Sequence, residues 1–118
     1  MKKFFLFLSI TMLLLGCDSH GYGYIESLEG TIWKCNLGGG DYRIIEFFAN
    51  GSAVEKIELD GKSSFKNLKW YLEMNGKLNF YWNEYKGEGP WMTGTFDKYE
   101  GILFISDLRY ELIANNND

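Results

Sequence analysis

Residues 44–61 have the sequence IIEFFANGSAVEKIELDG, in which two turn dipeptides separate segments rich in β-branched and aromatic residues. The dipeptides are Asn50-Gly51 and Asp60-Gly61, and both accept the positive φ angles that a type I′ turn requires. A third dipeptide of this kind, Asn75-Gly76, follows further along the chain. This succession of short apolar segments and tight turns predicts consecutive β-hairpins and therefore an antiparallel sheet.

The same pattern continues to the end of the chain and predicts about eight strands. We expect these strands at residues 31–37, 42–49, 52–59, 64–74, 77–86, 91–96, 102–105 and 109–113. No segment shows a helical stripe of apolar residues longer than two turns. The sequence therefore predicts an all-β meander, either a small closed barrel or a β-sandwich. Closure is favoured because it removes exposed strand edges.

Two of the predicted strands alternate poorly between apolar and polar residues. The segment from Val54 to Leu59 mixes the two kinds, which indicates an edge strand or a β-bulge. The segment from Ile44 to Phe48 is almost continuously apolar, which indicates burial on both faces or a surface that meets lipid or a partner.

The beginning of the predicted sheet resembles small bacterial lipocalin-like domains. The resemblance is carried by LEGTIW at residues 28–33, by Ile45-Glu46-Phe47, and by FFANG at residues 47–51, which has the F-x-x-N-G hairpin pattern. In that family a glycine and a tryptophan of the first strand plug one end of the barrel. Here two residues separate Gly30 from Trp33, which departs from the usual G-x-W spacing. Over roughly residues 28–113, the resemblance implies a barrel with a central site for a ligand of unspecified kind.

The first seventeen residues have the layout of a secretory signal. Lys2 and Lys3 precede an apolar run from Phe4 to Leu15, and Gly16-Cys17 follows. The end of the run resembles the bacterial lipobox, which implies cleavage before Cys17, a diacylglyceryl group on its sulfur and acylation of its new amino group. An uncleaved membrane helix and an ordinary signal peptide are the alternatives. The run is shorter than the roughly 20 residues that span a bilayer, and an A-x-A-like cleavage site is absent.

This assignment divides the chain into a signal peptide at 1–16, a flexible tether at 17–29 and a β-barrel domain at 30–118. The tether is polar and glycine-rich, with a single helical turn expected at 25–28. Asp18 follows the lipid-bearing cysteine. In a Gram-negative host an aspartate there implies retention at the periplasmic face of the inner membrane.

The charge of the mature chain limits its partners. The full chain has 12 basic and 16 acidic side chains, and loss of Lys2 and Lys3 leaves a net charge of −6. Nucleic acid is an unsuitable partner, because its phosphates would repel this domain. A basic protein would be attracted, although moderate acidity also serves solubility alone.

Cys35 is the only cysteine left once Cys17 carries lipid, so no intramolecular disulfide is expected. Alternation along the first strand places Trp33, Cys35 and Leu37 on one face, which predicts a buried thiol. A reactive or intermolecular cysteine is the alternative.

Signals for catalysis are weak, and we expect no enzyme activity, no metal and no cofactor beyond the covalent lipid. The only histidine, His20, lies three residues after Cys17, and the common catalytic motifs are absent. Carboxylates that lie near one another in the sequence leave a hydrolase as an alternative, because paired carboxyl groups in a cleft can act as acid and base. They are Glu84, Glu88, Asp97 and Glu100.

Aromatic side chains supply the candidate contact site. Tyr81, Tyr85 and Trp91 are the candidates, because tyrosine and tryptophan are enriched in binding surfaces. The alternative is that these aromatic residues only stabilise the sheet through cross-strand pairs. The residues expected in the core nearby are Leu78, Phe80 and Trp82.

The resulting hypothesis is a membrane-anchored, non-catalytic binding module of the bacterial cell envelope. Its expected partner is either a basic protein or a small apolar ligand. The alternatives are an immunity protein or inhibitor directed at a cell-wall hydrolase or toxin, and an envelope hydrolase.

Overall fold

Eight antiparallel strands form one closed barrel in the structure, a computed structural model that describes residues 21–116. Each strand pairs with its neighbours in sequence, and β8 closes the barrel by pairing with β1. The strands are β1 (Thr31–Gly38), β2 (Asp41–Phe47), β3 (Ser52–Leu59), β4 (Lys62–Leu72), β5 (Lys77–Tyr81), β6 (Met92–Asp97), β7 (Ile102–Ile105) and β8 (Leu108–Asn115). The predicted all-β meander and its closure are confirmed, and the sandwich alternative is wrong. The architecture is that of a small lipocalin-like barrel.

The predicted strand bounds agree with the structure within two residues, except at the end of β5. The sequence predicted this strand to continue to residue 86, whereas it ends at Tyr81. Residues 82–91 form a long connection instead, and the backbone N–H of Trp91 donates to the carbonyl of Phe80 across its base at 2.7 Å. Gly87, Gly89 and Pro90 in this segment favour a loop over a strand.

The hairpin turns lie at the predicted positions, but they are not all of the predicted type I′. Among the three predicted turn dipeptides, only Asp60-Gly61 has positive φ at both residues, as a type I′ turn requires. At Asn50-Gly51 and Asn75-Gly76 only the glycine has positive φ. In these two turns the asparagine Oδ1 accepts the backbone N–H two residues later, at 3.0 Å. The asparagine side chain therefore stabilises a longer turn in place of the predicted one.

The third strand lies inside the sheet and not at an edge. β3 pairs in unbroken register with β2 on one side and with β4 on the other, so the predicted edge or bulge is wrong. Its alternation looked irregular because Glu55, a charged residue, faces the barrel interior at 1% exposure. In β2, Ile45 and Phe47 are buried but Ile44 is half-buried, so this strand is buried on one face only.

Residues 21–29 pack against the barrel, although the sequence predicted that they belong to a flexible tether. Ile25 and Leu28 are buried in the core, and the backbone N–H of Ile25 donates to the carbonyl of Lys98 at 2.8 Å. Instead of the expected helical turn, residues 25–28 form bends without helix, and the N–H of Thr31 bonds the Leu28 carbonyl. Two apolar anchors therefore fix this segment. The predicted signal peptide, Cys17, Asp18 and His20 lie outside the described residues.

Candidate functional site

The two ends of the barrel differ in how deeply their inward-facing residues are buried. Along β1 the exposed fraction of the inward side chains rises from 0% at Trp33 to 38% at Leu37. Residues 21–29 cover the Trp33 end, where the indole N–H of Trp33 donates to the Thr31 hydroxyl at 2.7 Å. We call this end the closed end, and the opposite end, where residues 82–91 connect β5 to β6, the mouth.

An ion pair lies inside the barrel, below the mouth. Arg43 is opposite Cys35 in the register of β1 and β2, and Glu55 is opposite Ile45 in that of β2 and β3. Strand alternation turns both charged side chains toward the interior. The Arg43 Nη1 atom lies 3.6 Å from Glu55 Oε2, and 29% of the arginine side chain is exposed. The arginine therefore reaches the solvent, whereas the glutamate does not.

Several polar atoms around this ion pair are buried and have no hydrogen-bond partner among the described residues. They are Arg43 Nε, both carboxylate oxygens of Glu55 and the hydroxyl oxygen of Tyr110 on β8. Buried polar atoms in folded proteins are nearly always hydrogen-bonded, and each unmade bond costs about 1–3 kcal/mol. Two hydrogen-bond donors and one acceptor group thus point into the same part of the interior.

Burial controls the ionisation of this cluster. The pKa of Glu55 is raised because its carboxyl group is desolvated, although Arg43 and Lys66 act in the opposite direction. The pKa of Tyr110 is raised by desolvation and by the Glu55 charge, so its hydroxyl stays protonated, although the charge of Arg43 and a polar contact with the arginine side chain act in the opposite direction. Desolvation also raises the pKa of Cys35, and the predicted burial of this thiol is confirmed.

An aromatic pair lies at the mouth. The ring centroids of Trp82 and Trp91 are 5.3 Å apart, and the Lys66 ammonium lies 5.1 Å from the first ring and 5.5 Å from the second. Lys66 is opposite Glu55 in the register of β3 and β4, so it faces the same interior. The mouth therefore combines two half-buried indoles with a cation above them.

The structure separates the three predicted contact residues. Trp91 lies at the mouth, and Tyr85 belongs to the 82–91 connection with 41% of its side chain exposed. Tyr81 lies on the outer face of β5, opposite Lys69. Leu78 and Phe80 are buried as expected, whereas Trp82 is only half-buried.

The acidic residues considered for a hydrolase do not come together. Glu84 and Glu88 belong to the connection at the mouth, whereas Asp97 ends β6 and Glu100 lies in the β6–β7 connection, both at the closed end. Asp97 Oδ1 instead accepts the backbone N–H groups of Tyr99 and Glu100.

Arg43, Glu55 and Tyr110 were not predicted from the sequence as functional residues. Each of these polar residues stands at an inward-facing position of its strand, where the alternation of side chains predicts an apolar residue. That signal becomes visible only when the pairing register is known.

Comparison of the chain with protein-family models, with curated proteins and with solved structures finds no match. Within residues 21–116, no helix is long and apolar enough to cross a bilayer. The same residues contain no group of three or more histidine, cysteine or acidic side chains placed to hold a metal ion.

Proposed function

We propose that this protein is a lipid-anchored binding module of the bacterial cell envelope, and that the mouth of its barrel holds a small ligand without chemical conversion. The observation that carries the proposal is the group of buried, unpartnered polar atoms on Arg43, Glu55 and Tyr110. Binding sites for small molecules typically combine an apolar wall with a few convergent polar groups. This interior has both.

The polar atoms specify the chemistry of the ligand. The Glu55 carboxylate accepts hydrogen bonds, so it requires a donor, whereas Arg43 Nε–H and the Tyr110 hydroxyl can donate to an acceptor. A hydroxyl or amide group on the ligand supplies a donor and an acceptor together. The indoles of Trp82 and Trp91 suit an apolar body next to that group. We therefore propose an amphiphilic ligand with a hydroxyl or amide head and an apolar tail.

The anchor rests on the lipobox resemblance at Cys17. Two or more acyl chains hold a protein stably at a membrane, whereas one chain gives only marginal binding. A tethered binding module would therefore act close to the membrane surface.

Native mass spectrometry of a Cys17→Ser variant, which would stay unlipidated, tests the ligand proposal. We expect a small molecule to be retained, and we expect 1-monooleoylglycerol, as a probe, to change the tryptophan fluorescence saturably. Glu55→Gln should weaken probe binding about tenfold, because a hydrogen bond to a charged group contributes about 1.5–3 kcal/mol. Glu58→Gln is the matched control, since Glu58 faces outward on the same strand. No retained molecule and no probe binding, or equal binding by both variants, would contradict the proposal.

A protein partner is the second candidate function, and the exposed connection at the mouth favours it. Tyr85 is exposed there, and the connection carries Glu84 and Glu88 against Lys86, a net charge of −1. An exposed aromatic side chain next to this small excess of negative charge suits a basic protein such as a cell-wall hydrolase or toxin. Affinity capture from envelope extract and secreted proteins tests this function. We expect a basic protein that is lost at high salt and is not captured by a variant with Tyr81→Ser and Tyr85→Ser. Unchanged capture by that variant would show that this surface does not bind the protein partner.

A further inference from the structure

The connections at the closed end of the barrel share an unusual property. Each of the three hairpin connections at this end exposes a large apolar or aromatic side chain to solvent. These are Phe48 between β2 and β3, Met74 between β4 and β5, and Tyr99 between β6 and β7. Met74 is fully exposed, and Tyr99 is 72% exposed. Tyr24 of the segment that precedes β1 adds a fourth exposed side chain, and its ring lies 5.9 Å from that of Tyr99.

The connections at the mouth do not have this property. Three of the four connections at the mouth, at 39–40, 60–61 and 106–107, consist of small or polar residues. Only the connection at 82–91 carries an exposed aromatic side chain. Leu37, Leu59 and Phe65 are also exposed toward the mouth, but they belong to strands. Apart from Tyr85, the turns therefore expose large apolar side chains only at the closed end. Large apolar residues gathered on one exposed surface indicate contact with a partner or a membrane.

The chain enters the barrel at this same end. The backbone N–H of Tyr22 donates to the carbonyl of Gly101 at 3.2 Å, and that of Gly23 donates to Glu100 at 3.0 Å. Cys17, the expected lipid attachment site, is four residues before Gly21 in the sequence. Four residues reach at most about 14 Å even when fully extended. A lipid on Cys17 would thus hold the closed end next to the bilayer.

We infer that the closed end of the barrel rests on the lipid bilayer, with Tyr24, Met74 and Tyr99 in the headgroup region. The inference rests on the lipid anchor of the proposed function and names the surface that the anchored domain presents to the membrane. Tyrosine favours this region, because its ring is apolar and its hydroxyl is polar. The Lys98 ammonium lies 5.9 Å from the Tyr24 ring and 5.7 Å from the Tyr99 ring, where it can contact lipid phosphates.

Apolar contact, and not charge, holds this end at the membrane. Glu73, Asp97 and Glu100 also lie at the closed end, and the first two accept hydrogen bonds within the protein, from the Asn79 side chain and the Tyr99 N–H respectively. Since acidic groups accompany Lys98, attraction to anionic lipids is weak. The contact should therefore change little with salt concentration.

This orientation has a consequence for the candidate site. The mouth is at the opposite end of the barrel from residues 21–29, so it opens away from the bilayer. The ligand or partner would then be received from the aqueous side, while the closed end is occupied by the membrane.

Site-specific fluorescence on the lipidated full chain in vesicles tests the inference. The vesicles contain phosphatidylethanolamine and phosphatidylglycerol, with nitroxide-labelled headgroups in one set. The environment-sensitive fluorophore NBD is attached at Met74→Cys or at Tyr99→Cys, in a Cys35→Ala background whose fold is checked by circular dichroism. Glu88→Cys, in the exposed connection at the mouth, is the matched control.

We expect blue-shifted emission and severalfold stronger nitroxide quenching at positions 74 and 99 than at position 88, with little effect of salt. Vesicle flotation, measured on the same samples, reports the anchor separately. Protein that floats while all three positions emit as in water would overturn the inference and leave the anchor intact. Stronger quenching at position 88 would also overturn it, because the mouth would then face the membrane. Protein that does not float would overturn the anchor and the inference together.

Discussion

The Arg43 guanidinium lies 3.6 Å from the Glu55 carboxylate inside the barrel, close enough for attraction but too far for a hydrogen bond. The carboxylate is almost completely buried, whereas the guanidinium reaches solvent. Glu55 therefore bears most of the desolvation cost of this pair, and its raised pKa shows that burial outweighs the attraction. A buried charge with unmade hydrogen bonds reduces stability, which is typical of a residue retained for binding.

Removal of one partner of this ion pair should cost more than removal of both. Arg43→Met leaves Glu55 without its nearest cation and should lower the free energy of unfolding by about 1–3 kcal/mol. Adding Glu55→Leu should recover most of that loss, because an apolar pair of similar volume carries no desolvation cost. Urea denaturation of the two single variants and the double variant measures the coupling. A double variant that is less stable than Arg43→Met would contradict this description of the pair.

The raised pKa of Glu55 predicts a specific pH dependence of stability. The folded protein binds the Glu55 proton more tightly than the unfolded chain, in which the carboxyl group has the ordinary glutamate pKa of 4.5. The stabilisation that comes from this tighter proton binding is therefore complete below pH 4.5. It is lost as the pH rises through the pKa of Glu55 in the folded protein. Glu55→Gln should match the wild type at low pH and exceed it at neutral pH. Thermal unfolding between pH 4 and pH 8 measures the difference, and a constant difference would contradict the prediction.

The segment that covers the closed end should contribute strongly to stability. Leu28 is 1% exposed, so Leu28→Ala removes buried methyl groups and should cost about 2–5 kcal/mol. Ile113→Ala, at an exposed position of β8, is the control and should change stability by about 0.5 kcal/mol or less. Both values come from denaturant unfolding. Equal stability of the two variants would mean that residues 21–29 do not form part of the folded domain.

Cys35 should be unreactive in the folded protein. Its thiol is buried and its pKa is raised, so little thiolate is present or accessible at neutral pH. In the Cys17→Ser variant, where Cys35 is the only thiol, labelling by Ellman's reagent should be slow in buffer and fast in denaturant. Rapid labelling under native conditions would instead support the reactive cysteine considered as the alternative.

Local chemistry was enough to predict the fold, because each hairpin carries its own signal. The Asp60-Gly61 turn and the alternation through Trp33 and Cys35 depend only on neighbouring residues, so they could be recognised without the structure. The end of β5 at Tyr81 could not be recognised in this way, because the apolar pattern continues through Trp82 although the strand pairing stops at Tyr81. The packing of residues 21–29 was missed as well, since their polar composition conceals two apolar anchors.

The candidate site was harder to predict than the fold. Tyr85 and Trp91 were expected to contact a partner, and they lie in or next to the connection at the mouth. The polar cluster depends on residues from β2, β3 and β8, which only barrel closure brings together. A charged residue such as Glu55 looks like a surface residue until the register turns it inward.

A high-resolution crystal structure of the protein isolated from its own membranes tests the central claim most directly. We predict electron density for a bound molecule near the mouth, with a hydroxyl or amide group within hydrogen-bond distance of Glu55, Arg43 Nε and the Tyr110 hydroxyl. The apolar part of that molecule should contact Trp82 and Trp91. Density for water alone at these atoms, or direct hydrogen bonds among the three side chains, would show that the cluster is structural and that the mouth is not a ligand site.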